Sequence, residues 1–207
     1  MTAGKRAFDL AVLVLLSAVL WPVALVIAVT ILLRDGRPVF FVSERMRGVD
    51  EPFGLVKFRT MTNDPADRGV SGGDKSARIT ATGRFLRRYR LDEIPQLWNI
   101  ARGDISFVGP RPPLRQYVEK FPDLYREVLK SRPGLTGLAT LAFHRRESVL
   151  LQSCRTPAET EAVYVRRCVP VKARLDRIYS RNSSVCYDML IMVATVTGRK
   201  APKRSMR

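Results

Sequence analysis

With 207 residues, the chain is long enough for one cored domain and an appendage. It carries 36 lysines and arginines against 19 acidic residues, a net charge of +17, which points to a polyanionic partner: nucleic acid, an anionic membrane surface or phosphorylated substrates. Cys154, Cys168 and Cys186 are odd in number, widely spaced and without a CxxC pair, which argues against a disulfide framework or structural zinc and for a reducing cytosol. His144 is the only histidine; no histidine-built metal site follows from it, and a structural role is expected.

Leu10 to Leu33 holds no charged residue and is almost wholly aliphatic, so it belongs in a bilayer. As a straight helix it would be roughly 36 Å long, enough to span. It is too long for a secretory signal and lacks a convincing cleavage site. Pro22 stands almost at its centre, where it removes a backbone hydrogen bond. Basic residues flank both ends, Lys5 and Arg6 before it and Arg34, Arg37, Arg45 and Arg47 after it. A hairpin that returns both ends to the cytosol satisfies that charge pattern; a kinked single span is the competing reading. The expectation is a re-entrant hairpin broken at Pro22, each half roughly 18 Å long, about one leaflet.

Pro38 to Val42 and Phe53 to Met61 read as two short strands with a turn near Gly48, a hairpin. Lys57 and Arg59 lie two apart, so one strand face would show both as an anion platform, although such a face is often only solvated. Asn63 to Ser76 is polar and glycine-rich and reads as a loop. Thr80 or Thr82 caps a short amphipathic helix with Phe85, Leu86 and Tyr89 on its buried side and arginines on its wet side.

The stretch Arg90-Leu-Asp92-Glu93-Ile-Pro95-Gln-Leu-Trp-Asn99 follows. Asp92 is placed to cap a helix with Pro95 in its first turn and Gly103 at its end. The cationic run Arg84, Arg87, Arg88 and Arg90 precedes the two carboxylates, and a Gly109-Pro110-Arg111-Pro112-Pro113 turn follows them. Carboxylates among permanently charged guanidinium groups suit phosphate chemistry: they attack phosphorus, hold a divalent metal or move a proton. The plainer reading is that Asp92 and Glu93 only complement a helix dipole.

Tyr117 to Ser131 is helical, interrupted at Pro122, and Arg132 to Gly137 is a compact turn. A helix runs from Arg145 to Gln152, and Thr156, Pro157 and Glu159 mark the start of another. Val185 to Val196 is apolar but short for a span and reads as an interfacial helix, followed by the basic tail Arg199, Lys200, Lys203, Arg204 and Arg207. A buried core helix is the alternative. No RRM, KH or helix-turn-helix signature accompanies the charge, so nucleic acid is not expected as a partner.

Five segments in this order resemble the bacterial sugar transferases that are monotopic polyprenyl-phosphate phosphoglycosyl transferases. They are Lys5-Arg6-Ala-Phe-Asp9 before a proline-broken apolar run, Lys57-Phe-Arg-Thr-Met61, Leu91-Asp-Glu-Ile-Pro-Gln-Leu97, Gly103-Asp-Ile-Ser-Phe-Val-Gly-Pro-Arg-Pro112 and Arg132-Pro-Gly-Leu-Thr-Gly137; Tyr179 to Asp188 is also similar. The resemblance implies transfer of a sugar-1-phosphate from a UDP-sugar to undecaprenyl phosphate with release of UMP, dependent on Mg²⁺, at the start of surface-glycan assembly. It places the enzyme in the bacterial inner membrane, with the catalytic domain on the cytoplasmic face and membrane lipid around its anchor. Asp92 would be the nucleophile and form a covalent phosphosugar intermediate. Glu93 would hold metal or accept a proton, the two roles not being separable, and both carboxylates are candidate Mg²⁺ ligands. Arg111 would hold a phosphate oxygen, with Lys57, Arg59 and Arg88 as further phosphate-binding candidates.

Trp21 stands where the family often has serine before the re-entrant proline, and Ala139-Thr140-Leu141 replaces a frequent Ala-Gln pattern. The resemblance implies the minimal catalytic form. The expected fold is α+β and helix-rich: a membrane-embedded helix-break-helix hairpin over residues 1–36, a cytosolic catalytic domain over 37–184, and interfacial amphipathic helices, with a C-terminal helix and tail over 185–207. A homodimer is admitted as a partner. The rival from another class is a non-catalytic cationic adaptor at the membrane surface.

Overall fold

In a computed structural model that describes residues 2–62, 64, 70 and 73–198, the apolar N-terminal run forms one helix, α1 (Ala3–Arg34), capped by the Thr2 hydroxyl. It is long and apolar enough to cross a membrane. Pro22 lies inside it without interrupting the helix, since proline withdraws a single backbone donor and the neighbouring turns continue. Side chains of α1 are buried only towards its ends, Asp9 and Leu13 on one side and Ile27 and Ile31 on the other. At the first end Lys5 donates to the Val108 carbonyl (3.0 Å) and pairs with Asp188, while Arg6 donates to the carbonyls of Ile100 (2.6 Å) and Ala101 (2.7 Å). At the other end Ile27 and Ile31 pack with Phe58 and Leu86. One globular body therefore holds both ends of the helix.

The expected hairpin is present as β1 (Phe40–Met46) and β2 (Pro52–Phe58), antiparallel, with Phe41 opposite Lys57 and Arg45 opposite Phe53. Arg59 lies just beyond β2, so it does not extend a basic strand face. Thr80 caps α2 (Ala81–Arg88) through the Gly83 amide, whereas Thr82 is buried. Only Leu86 of the three expected core residues is buried; Phe85 (57% exposed) and Tyr89 (56%) meet as tilted rings, centroids 4.9 Å apart, on the outside. Eight residues make barely two turns, so the helix sinks one side chain and leaves both rings at the surface.

After α3 (Gln96–Arg102) comes β3 (Ser106–Val108), which pairs in parallel with β4 (Gly134–Thr136), a segment that reads locally as a turn. Three residues carry no usable alternation, and the partner strand lies far away in sequence. Between them run α4 (Arg115–Lys120) and α5 (Pro122–Val128), divided at Pro122 as expected. Helix α6 (Leu138–Gln152) begins earlier than its sequence suggests. Helix α7 (Pro157–Val163) starts with Thr156 accepting from the Glu159 amide (3.2 Å). A π-turn over Tyr164–Cys168 leads into α8 (Val169–Asn182), and α9 (Val185–Thr197) follows.

The chain is helix-rich α+β. One core gathers Leu13, Leu55, Ile100, Val108, Tyr179 and Ile191, so α1, α3 and α9 close over both small sheets. A second joins Met46, Tyr117, Val128, Phe143 and Val169, packing α4 to α6 against α8. Helix α9 buries Tyr187, Asp188 and Ile191 and leaves Leu190, Val193 and Val196 exposed. The basic tail beyond Gly198 and most of the Asn63–Ser76 loop lie outside the described residues.

Candidate active site

Arg90 adopts the left-handed conformation (φ 56°), the one non-glycine to do so among the described residues. Such a backbone costs roughly 1–2 kcal/mol. It turns the chain out of α2 into a 3-10 turn, Leu91–Glu93, and Pro95 then leads into α3. Gly103 ends α3 in the left-handed region (φ 81°), as its position suggests. The capping expectation for Asp92 fails: the residue preceding each segment is Arg90 or Pro95, and neither segment has a side-chain cap. Asp92 and Glu93 are thus released from helix capping and turn, buried, into a cleft of about 1500 Å³.

Two devices hold the walls of that cleft. Asn99 donates to the carbonyl of Gly54 (2.7 Å) and accepts from the amide of Val56 (3.0 Å), fixing the strand of Lys57 against the helix that follows the carboxylates. On the other wall, Gly109 and Gly134 lock two loops backbone to backbone: the Gly109 amide donates to Thr136 O (2.9 Å) and the Gly134 amide to Pro110 O (2.8 Å). A Cβ at Gly109 would fall 2.1 Å from the Arg132 carbonyl, so only glycine allows this approach. The Met46 amide also donates to Pro113 O (3.0 Å), which pins the Arg111-Pro112-Pro113 segment to β1.

Glu93 stands at the centre of a cationic clamp. Its Oε1 accepts from Arg111 Nη2 (2.8 Å) and Lys57 Nζ (3.2 Å), and its Oε2 faces Arg90 Nη1 at 3.5 Å. Burial by itself pushes Glu93 up, but Arg111, Lys57 and Arg90 outweigh it and hold the carboxyl well below the usual range. Asp92 moves the opposite way. Burial raises it, aided by the neighbouring Glu93 charge and opposed by Lys57 and Arg87. No ion pair to Asp92 forms among the described residues. Lys57 is lowered to about 8 although it pairs with Glu93, because burial and the nearby Arg111 charge outweigh that pairing.

The sequence-predicted residues divide. Asp92, Glu93, Lys57 and Arg111 come together. Arg88 is exposed at the same cleft, with its guanidinium 5.7 Å from the Tyr89 ring. Arg59 donates instead to the carbonyls of Asp35 (2.6 Å), Gly36 (2.7 Å) and Pro38 (2.6 Å), tying down the exit from α1. His144, expected to be structural, lines the cleft, and partial desolvation there together with Arg90 and Arg111 lowers its pKa. Farther along, Lys172 donates to Glu147 Oε1 (2.8 Å). These residues come from α6 and α8, and no local spacing ties them to Asp92.

The profile of the Bacterial sugar transferase family matches residues 1–199. The chain belongs to this family. Among curated relatives, the uncharacterized sugar transferase EpsL of Bacillus subtilis (strain 168) is 38% identical over 137 residues, 66% of this chain and 67% of that protein. A UDP-glucose:undecaprenyl-phosphate glucose-1-phosphate transferase of Klebsiella pneumoniae is 34% identical over 168 residues, 78% of this chain and 36% of that one. A UDP-N-acetylgalactosamine-undecaprenyl-phosphate N-acetylgalactosaminephosphotransferase of Aeromonas hydrophila is 29% identical over 198 residues, 93% of this chain and 42% of its own length. The match thus spans less than half of the two longer relatives, and this sugar transferase aligns with them over 78% and 93% of its own length.

Proposed function

We propose that this sugar transferase moves a sugar-1-phosphate from a UDP-sugar to undecaprenyl phosphate and releases UMP, as the first step of surface-glycan assembly on the cytoplasmic face of the bacterial inner membrane. The observation that carries the reading is the split carboxylate pair: Glu93 clamped by three cations, Asp92 beside it without a partner among the described residues and facing the same cleft. An adaptor whose carboxylates merely capped a helix would have no use for that arrangement, and the caps are absent.

Asp92 attacks the sugar-bearing phosphorus of the donor; the bond to the bridging oxygen breaks and UMP leaves with its electron pair. The phosphate of undecaprenyl phosphate then attacks the same phosphorus, displaces the Asp92 carboxylate and yields the lipid diphosphosugar. Arg111 and Lys57 bind phosphate oxygens, and negative charge gathering there is stabilised by groups already in place. Glu93, far below the usual carboxylate range, is a poor base and serves chiefly to orient those cations. Asp92, buried and without an ion pair among the described residues, would be the carboxylate to hold Mg²⁺ together with substrate phosphates, since both Glu93 oxygens already face cations; the metal would neutralise diphosphate charge. UMP release by the purified protein, measured over a panel of UDP-sugars with undecaprenyl phosphate and Mg²⁺, tests the reading. No UMP from any donor would return it to the adaptor.

The pH dependence follows from the same charges. Asp92 must be ionised, so kcat/KM falls as pH drops through its raised pKa, above the ordinary aspartate value of about 3.9. Lys57 must be charged, so kcat/KM also falls as pH rises through about 8. Lys57→Arg is expected to move the alkaline limb upward and leave the acid limb in place. An unmoved alkaline limb would remove Lys57 from phosphate binding.

The anchor is read as re-entrant, as one helix whose two ends return to the same body rather than as two helices broken at Pro22. Support comes from the burial of α1 at its two ends alone, against one globular body, with exposed Val14, Val19, Trp21 and Leu25 between. The exposed apolar face of α9 suits the interface beside it. Single-cysteine labelling in intact cells should find Thr2 and Gly36 on the same, cytoplasmic side; labelling from opposite sides would establish a simple span.

A further inference from the structure

Arg45 is a cation of the cleft that no carboxylate balances among the described residues. It stands on β1, with Nε donating to Ser43 Oγ (3.0 Å) and Nη1 to the Pro112 carbonyl (3.3 Å). Those bonds orient the guanidinium and neutralise none of its charge. Its neighbours differ. Lys57, Arg90 and Arg111 each pair with Glu93, and Lys172 pairs with Glu147. No carboxylate pairs with Arg45 among the described residues. A cation taken from water without a counter-ion weakens the fold that holds it, and such a residue stays for what it binds.

We infer that Arg45 is a phosphate-binding residue, gripping the donor's diphosphate together with Arg111. Three observations carry this. Arg45 lines the cleft that Asp92 and Glu93 face. The peptide carbonyl that it contacts belongs to Pro112, next to Arg111, so one rigid loop positions both guanidinium groups. The cleft is also cationic: among the described residues, twelve lysines and arginines line it against seven acidic residues, a surplus that suits a polyanionic donor. The surplus is felt locally: burial first, and then Arg111, lowers Arg45 to about 10, so it stays cationic at neutral pH. Its free guanidinium edge offers the fork geometry that phosphate oxygens accept.

The inference rests on a diphosphate donor, so its test uses inorganic pyrophosphate without added metal as well as turnover. Arg45→Met retains an unbranched apolar stem and removes the charge; Arg45→Lys retains the charge and loses the fork. Purified full-length protein in detergent is heated with and without pyrophosphate. Wild type should gain thermal stability with pyrophosphate. Arg45→Met should melt at or above the wild-type temperature without ligand, lose most of the pyrophosphate shift, and raise KM for the UDP-sugar at least tenfold. Arg45→Lys should fall between the two. A pyrophosphate shift that survives in both variants overturns the inference, as does a large fall in unliganded melting temperature with KM unchanged, which marks a structural residue. Wild type that responds to pyrophosphate through Arg45 but releases no UMP from any UDP-sugar retains the anion site and retires the transferase reading.

Discussion

Asp92→Asn is expected to lower UMP release by about 10⁴-fold, to background, while the protein keeps its fold. Asparagine matches aspartate in shape but its amide is a far poorer nucleophile, and no ion pair to Asp92 among the described residues would be broken by the change. The wild-type chain, given a UDP-sugar and Mg²⁺ without acceptor, should release at most one equivalent of UMP per active site. EDTA should prevent that release and restored Mg²⁺ should bring it back. Mass spectrometry should then find a sugar-phosphate adduct on Asp92, labile as acyl phosphates are. Sequential kinetics with no UMP before acceptor is added would establish direct displacement instead, and an adduct on Glu93 would exchange the roles of the pair.

Glu93→Gln should act differently, on stability as well as rate. It removes the one carboxylate shared by Arg111, Lys57 and Arg90. Breaking a buried pair typically costs 3–5 kcal/mol; with the Arg111 side chain 34% exposed, solvent screening brings the expected loss here to about 2 kcal/mol. Lys57 loses the charge that favours its ammonium form, so its pKa should fall further below about 8 and the alkaline limb of kcat/KM should shift to lower pH. Turnover should drop by roughly 10²–10³-fold, the scale of losing preorganised electrostatic stabilisation. If Glu93 orients cations, the variant still forms some adduct on Asp92. If Glu93 is the base for the incoming phosphate, adduct should form at the normal rate and persist when acceptor is added. Wild-type turnover and stability in Glu93→Gln would eliminate both roles.

The carboxylate pair was legible because adjacent acids beside arginines and a proline turn are a local pattern, and so was Arg111, on a rigid Pro-Arg-Pro turn. Arg59 shows the limit of spacing. Two residues from Lys57, it would share a strand face only if β2 continued, and β2 stops at Phe58. Once outside the ladder, its guanidinium satisfies three carbonyls at the exit of α1. Phe85 and Tyr89 follow helical periodicity correctly and still end outside, because α2 packs through Leu86. His144 and Arg45 carried no neighbouring signal at all, since their relation to Glu93 runs through elements distant in the chain.

By itself the sequence determined the apolar N-terminal run, the β1–β2 hairpin, the Thr156 cap, the Gly103 stop and the family, since each depends on composition or on residues a few positions apart. The tertiary structure alone decided that Gly134–Thr136, within the expected turn, is a strand, that Asp92 caps nothing and faces a cleft, and which cations share Glu93. Parallel pairing needs a distant partner, the orientation of a carboxylate depends on a left-handed turn at Arg90, and charge balance is a property of groups brought within a few ångströms by three separate segments. Those are long-range terms, and no window of neighbouring residues contains them.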